Sequence, residues 1–147
     1  MRNISAAFII LLLAGSAHAD SRSPFLENIE KGMTPEALGL PFELDEVTSI
    51  IAGRVIDNRD HIFMEYTVEI DGSPGDYIIP GVYSTPSEVE VHMRQYVQED
   101  SENPFCGIGR RMLEVMQKYD LRALYLYKWE NEPGTFTSYS RAARDCK

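Results

Sequence analysis

Histidines that lie close to carboxylates are the first candidates for chemistry in this chain. His61 follows Asp60, and His92 lies four residues after Glu88 in a segment with a helical pattern. A histidine beside a carboxylate can act as a general base in a hydrolase, but it also needs a nucleophile within reach. The chain contains no G-x-S-x-G motif that would supply one. We therefore expect solvated ion pairs at both histidines and no enzyme, with a small hydrolase as the catalytic alternative.

Paired carboxylates are the next candidates. Glu65 and Glu69 fall on one face of a predicted strand, where four residues span about 13 Å, too far for the carboxylate pair of a glycosidase. The acidic groups at 57–60 and 99–102 could hold Ca²⁺ loosely, but neither matches the glycine and terminal glutamate of an EF-hand loop. Zinc-binding spacings such as H-E-x-x-H are also absent from the sequence. We expect no metal and no cofactor.

The chain has two cysteines, Cys106 and Cys146. In an exported domain, two cysteines allow one intramolecular disulfide. It would close a ring of about 40 residues, which the chain-entropy treatment equates with roughly 4 kcal/mol of stabilisation. A metal-binding or redox-active thiol pair is the alternative, although the sequence has no C-x-x-C motif.

An aromatic row is the strongest sign of a binding role. Tyr125, Tyr127 and Trp129 alternate with Leu124 and Leu126 in a predicted strand, so the three rings project from one face. If the leucines face the helices, the rings form an exposed platform for a partner. If the rings face inward, they fill the core instead. The sequence leaves both possibilities open.

These residues need a scaffold, and the periodicity of the chain predicts one. Alternation of apolar and polar residues over His61–Ile70 indicates a strand with one wet face. Thr85-Pro86-Ser87-Glu88 is a capping box that starts a helix reaching about Asp100. We predict an α+β fold with a small antiparallel sheet, the order β-β-α-α-β-β, helices packed on one face, and one disulfide. The remaining predicted strands are at 47–57, 123–130 and 135–140. A second helix is expected to start at Asn103-Pro104, with Cys106 in its first turn. Its apolar stripe would consist of Phe105, Ile108, Met112, Val115, Met116 and Tyr119.

Residues 1–19 have the pattern of a cleavable signal peptide. Arg2 precedes a short apolar run, and Ala17-His18-Ala19 is a small-x-small cleavage site. The expected organisation is a signal peptide at 1–19, a leader with short helical segments at 20–46, and a single α+β domain at 47–147. No lipobox cysteine lies directly after the apolar run. We therefore expect a soluble periplasmic or secreted protein without a lipid anchor.

The charge balance narrows the range of partners. The 147 residues carry 14 Lys and Arg against 23 Asp and Glu, a formal net charge of −9. Such an acidic protein is not expected to bind nucleic acid or to insert into a membrane. A basic partner surface would suit it, although acidity also serves solubility alone.

From Leu40 onward, the order and spacing of the chain resemble the beta-class pilotins of type II secretion. The resemblance covers about two-thirds of the chain and implies a small periplasmic α+β protein that binds the C-terminal segment of a secretin subunit. Those pilotins are lipoproteins, whereas this chain has no lipobox cysteine. The matching features are Leu40-Pro41, two strands, a helix near Met93-Arg94-Gln95-Tyr96, Cys106, the strand Leu124–Tyr127, and Cys146 in the tail.

The sequence therefore predicts a module that binds another envelope protein. The partner would be a secretin-like subunit, held as a helix in a groove or as a strand at the sheet edge. The alternative is an immunity or inhibitor protein that blocks a basic toxin or hydrolase. Met93 and Met112 are candidate groove residues beside the aromatic row, because methionine adapts to irregular surfaces.

Overall fold

The structure is a computed structural model that describes residues 22–99 and 102–147. The predicted signal peptide lies outside these residues. Helix α1 (Arg22–Gly32) is followed by the single turn α2 (Pro35–Leu38). Thr34 caps α2 by accepting a hydrogen bond from the Ala37 N–H at 3.3 Å, and Gly39 ends it in the left-handed conformation with φ +64°. The short helical segments expected between residues 20 and 46 are therefore present.

A β-meander comes next. The two-residue strand β1 (Phe42–Glu43), which the sequence pattern did not reveal, pairs with β2 (Thr48–Asp57), and β2 pairs with β3 (Ile62–Ile70). Both pairings are antiparallel. Ile62, Met64, Tyr66, Val68 and Ile70 of β3 are buried against the core, which confirms the predicted inward set. The other face, expected to be wet, is half-buried, and its Glu65 is only 8% exposed.

Between β3 and the next strand, the chain forms two helices on one side of the sheet. A 3₁₀ turn (Pro74–Tyr77) leads to α3 (Pro86–Glu99), and Glu88 accepts hydrogen bonds from the Ser84 and Thr85 N–H groups as the capping pattern predicted. Helix α4 spans Arg110–Lys118.

The predicted start of α4 at Asn103-Pro104 is wrong. Gly107 has φ +111°, a left-handed value that cannot continue a helix, so residues 103–108 form turns instead. Cys106 consequently lies in these turns and not in a helical turn. Most of the predicted apolar stripe is nevertheless buried: Phe105, Ile108, Met116 and Tyr119 lie in the core and Met112 is half-buried. Val115, expected inside, is 37% exposed, and Leu113 is buried instead.

The last two strands are β4 (Leu121–Trp129) and β5 (Thr135–Ala142), and a 3₁₀ turn (Ala143–Asp145) ends the chain near Cys146. The five strands lie in the order β1-β2-β3-β4-β5. The pair β3–β4 is parallel and the other pairs are antiparallel, so the sheet is mixed and the prediction of an antiparallel sheet is wrong. The two intervening helices return the chain to the end where β3 began, and β4 therefore runs in the direction of β3.

One face of the sheet carries the core. Phe25 of α1, Val97 of α3 and Met116 of α4 are buried in one cluster with the inward residues of β3 and β4. The helices thus cover one face of the sheet, as predicted.

Cys106 and Cys146 form the predicted disulfide, with their Cα atoms 5.2 Å apart. The tail that carries Cys146 is also held by Gln117, whose side-chain amide donates to the carbonyls of Ala143 (3.2 Å) and Cys146 (3.0 Å). The disulfide and these hydrogen bonds fix the C-terminal tail to the turns before α4 and to α4 itself.

Candidate functional site

The structure places His61 beside Asp120, not in a pair with the neighbouring Asp60. His61 Nδ1 lies 3.9 Å from Asp120 Oδ2. Its other ring nitrogen, Nε2, lies 2.6 Å from the side-chain amide nitrogen of Asn58. Both ring nitrogens of His61 therefore face neighbouring side chains of its own turn and of the turn before β4.

His92 also differs from the prediction, which placed it in a pair with Glu88. Its ring packs against Tyr83, with centroids 5.2 Å apart, on the exposed side of α3. Glu88, the expected partner, uses one carboxylate oxygen to cap the helix. His92 therefore does not provide the histidine–carboxylate pair that the hydrolase alternative requires.

The aromatic row is part of the core. Tyr125, Tyr127 and Trp129 are 3%, 7% and 1% exposed. Tyr125 stacks between Tyr66 and Tyr139, at centroid distances of 5.2 Å and 4.7 Å. The exposed platform considered from the sequence does not exist in this fold, because the helices cover the face from which the rings project.

The two methionines named as groove residues also pack against the core. Met93 on α3 and Met112 on α4 are half-buried next to the main cluster. They contribute to helix packing on the sheet, where an unbranched side chain fills uneven gaps.

The opposite face of the sheet carries the residues of β4 that alternate with the aromatic row. Leu124 and Leu126 are half-buried there, between ion pairs that cross neighbouring strands. Lys128 Nζ lies 2.5 Å from Glu69, and Arg54 Nε lies 2.5 Å from Glu65. These pairs leave little net charge on that face.

The strongest charge asymmetry lies at the end of the sheet where β3 and β4 finish. Three turns meet there, because the Asp71 N–H donates to the Val47 carbonyl at 2.9 Å and the Asn131 N–H donates to the Gly72 carbonyl at 3.0 Å. The Glu130 carboxylate also accepts from the Gly72 N–H at 3.0 Å. Segments that are far apart in sequence, at 42–49, 69–77 and 128–135, therefore form one surface.

That surface is acidic. The three segments contain eight acidic side chains and one basic one, Lys128, which pairs with Glu69. Burial, together with the nearby carboxylates of Asp71, Asp76 and Asp45, raises the pKa of the Tyr77 hydroxyl. We call the remaining seven residues the acidic end: Glu43, Asp45, Glu46, Asp71, Asp76, Glu130 and Glu132.

Exposed aliphatic side chains border the acidic end. Val47 lies within one of its turns and is 40% exposed. Ile78 and Ile79 follow Tyr77 directly and are 37% and 54% exposed, and Val82, in the turn closed by its own N–H to the Ile79 carbonyl, is 62% exposed. Aliphatic groups beside a charged rim are typical of protein-binding surfaces.

The other end of the sheet has the opposite balance. Asp120 adopts φ +46° and accepts a 2.8 Å hydrogen bond from Arg122 Nη2, and Arg144 Nη1 lies 3.5 Å away. The Arg122 hydrogen bond and the charges of Arg122, Arg144 and His61 lower the pKa of the Asp120 carboxyl. Segments 57–61, 117–122 and 141–147, which meet at this end, carry six basic and four acidic side chains.

Comparison with known proteins assigns no family. No protein-family model matches the chain. No curated protein matches it significantly. A crystal structure from Pseudomonas aeruginosa, named as a putative secreted protein, shares 12% sequence identity with this chain. The match covers 97% of this chain and 99% of the Pseudomonas chain, with a TM-score of 0.46.

Within 22–99 and 102–147, no helix has both the length and the apolar character needed to cross a membrane. The same residues contain no group of three or more His, Cys, Asp or Glu placed to share a metal ion.

Sequence reasoning missed the acidic end, although each acidic residue is visible in the sequence. The signal was present as three turn segments with almost no lysine or arginine. Only the pairing of β2 with β3 and of β3 with β4 shows that these turns lie at the same end of the sheet.

Proposed function

We propose that the protein is an exported module that binds another protein through the acidic end. The observation that carries the proposal is the meeting of three turn segments that hold seven acidic residues, with the exposed Val47 inside one of them and the exposed Ile78 and Ile79 directly after another. A disulfide in a small domain is typical of exported proteins, which supports the location. The complementary partner has a basic surface with apolar side chains beside it.

Charge complementarity and apolar contact have separate roles in such a complex. Carboxylates steer a basic partner and set its orientation, and this contribution weakens as salt screens the charges. Ile79 and Val82 supply apolar area that is removed from water on binding, which salt does not weaken. The role favoured by this surface is that of an immunity or inhibitor protein that blocks a basic toxin or hydrolase.

The test is a pull-down from envelope extracts with the exported, oxidised protein at low and high salt. The key variant is Glu43→Gln/Glu46→Gln/Glu132→Gln, which removes three exposed carboxylates of the acidic end without touching the capping carboxylates of Asp45, Asp76 and Glu130. Its matched control is Glu30→Gln/Glu99→Gln/Glu114→Gln, which changes the net charge equally on the exposed sides of the helices.

A basic protein that binds the wild type and the control, but binds the key variant at least about tenfold more weakly at low salt, supports the proposal. Equal loss in both variants would mean that net charge alone acts. Equal retention in both variants would overturn the acidic end as the binding surface. A secretin-like subunit retained at high salt by all three proteins would support the pilotin-like role instead.

A further inference from the structure

Strand β5 forms one edge of the sheet, and among the described residues no strand pairs with its outer side. Two side-chain hydrogen bonds show which backbone groups point outward. The Ser140 carbonyl accepts from Arg141 Nη1 at 2.9 Å, and the Ala142 carbonyl accepts from Asn103 Nδ2 at 3.0 Å. Backbone direction alternates along a strand, so Ser138 also directs its N–H and C=O to the free edge.

The composition of this edge suits pairing with another strand. Residues 135–140 read Thr-Phe-Thr-Ser-Tyr-Ser, without charge and without proline. Exposed edge strands are normally protected from pairing by lysine, proline or a bulge within the strand. In β5 the register shift leaves Phe136 without a partner between Thr135, opposite Lys128, and Thr137, opposite Tyr127, so a bulge lies near the start of the strand. The stretch beyond it, residues 137–140, has no bulge, proline or charge before Arg141. The open part of the edge is therefore centred on Ser138, because the outward carbonyls of Ser140 and Ala142 already accept from Arg141 and Asn103.

The two ends of β5 lie next to opposite charges. Thr135 follows the turn of Glu130 and Glu132 at the acidic end, whereas Arg141 and Arg144 lie at the basic end. An identical strand laid antiparallel would put its basic end beside the acidic end of the first copy, and the reverse would hold at the other end. A parallel arrangement would bring two acidic ends together in a chain whose net charge is −9.

We propose that two copies of this chain associate through β5, antiparallel, around a two-fold axis beside Ser138. At Ser138 the outward N–H and C=O of one copy can pair with the C=O and N–H of the other, and the charges at the two ends of β5 are complementary, as a two-fold interface requires. The product is one sheet of two joined halves with the acidic ends at opposite extremes. This inference does not depend on the proposed function, because it rests on backbone pairing at β5; of the acidic end, only the turn of Glu130 and Glu132 lies beside the second copy.

The first test measures the mass of the exported, oxidised protein in solution by light scattering over a wide range of concentration. Ser138→Pro removes an outward N–H that makes no bond to β4, so an edge strand tolerates it. Ser138→Ala is the matched control, because it keeps the N–H. We expect a dimer for the wild type and the control, and self-association at least about tenfold weaker for Ser138→Pro. A wild type that stays monomeric, or a folded Ser138→Pro variant that remains dimeric, overturns the proposal.

The second test does not depend on the tolerance for proline. Paired residues beside the axis have Cα atoms about 5.5 Å apart, within the range that a disulfide can bridge. Ser138→Cys should therefore form covalent dimers under mild oxidation, whereas Ser84→Cys, at an exposed position before α3, should not. Equal cross-linking of both variants, or none at Ser138→Cys, overturns the two-fold pairing even if the protein dimerises.

Discussion

A double-mutant cycle at Gly53 tests how the N-terminal helices sit on the sheet. Gly53 lies on the helix-covered face of β2, opposite Tyr66. A Cβ atom at this position would lie 2.5 Å from Leu38 Cδ1 and 3.1 Å from Met33 Cε. Both neighbours are 3% exposed, so neither can simply move into solvent. The missing side chain is what allows the α1–α2 turn to pack closely on β2.

The expected magnitudes follow from overpacking and cavity formation. Gly53→Ala adds a methyl group to a filled space, which costs roughly 1–3 kcal/mol, reduced by about 0.4–1 kcal/mol because alanine loses less backbone freedom on folding. Leu38→Ala alone costs about 2–5 kcal/mol, since it leaves a cavity at a buried site. In the double variant, the new methyl group occupies part of that cavity. The combined loss should therefore be smaller than the sum by about 1–2 kcal/mol.

Urea unfolding of the oxidised proteins, followed by the fluorescence of the single tryptophan, Trp129, measures each free energy of unfolding. Gly75→Ala is the control, because the contact found for a Cβ there is Ser73 Oγ at 3.8 Å. Gly53→Ala should also lower Tm by roughly 4 °C for each kcal/mol lost. Losses that add within about 0.5 kcal/mol, or a Gly53→Ala variant as stable as Gly75→Ala, would refute the close packing of Leu38 on β2.

Two further predictions concern the core and the basic end. Trp129→Ala should destabilise the fold by about 3–5 kcal/mol, because Trp129 is 1% exposed and packs on Phe136 and Tyr77. Leu126→Ala, on the half-buried face of the sheet, should cost less. Similar losses for the two variants in circular-dichroism melts would contradict the inward assignment of the aromatic row. The folded state lowers the pKa of Asp120 below its ordinary value of 3.8, so its contribution to stability is present above that value and is lost as pH falls through the folded pKa. The difference in Tm between wild type and Asp120→Asn should therefore shrink below about pH 4, and an offset that is constant across the acid range would exclude this ion-pair role.

Local patterns in the sequence predicted the elements that local physics determines. Thr85 and Glu88 start α3, because the Glu88 N–H donates to the Thr85 hydroxyl and the Thr85 N–H donates to the Glu88 carboxylate. Both bonds are local in sequence. The alternation in β3 gave the buried set from Ile62 to Ile70, since only one of its two faces is apolar. The disulfide followed from the presence of two cysteines in a chain with export features.

The predictions from sequence failed where two different arrangements of the chain would show the same local pattern. In β4, both alternating sets contain large apolar residues, so periodicity alone did not decide whether Tyr125 or Leu124 faces the helices. The direction of β4 relative to β3 depends on how two helices cross the sheet, which short-range signals do not encode. The acidic end was hidden for the same reason, because its turns become neighbours only through this strand order.

The parallel contact between β3 and β4 sets an order on folding. The two strands lie side by side at the centre of the sheet, yet residues 71–120 separate them in the chain. Until β4 has been synthesised, β3 has a free edge and the inward side chains of Met64 and Val68 lack the neighbours that β4 supplies. The first half of the chain is therefore a two-hairpin fragment that needs residues 121–142 to complete its sheet. A nascent chain released before Leu121 would expose that edge and its apolar face to other chains.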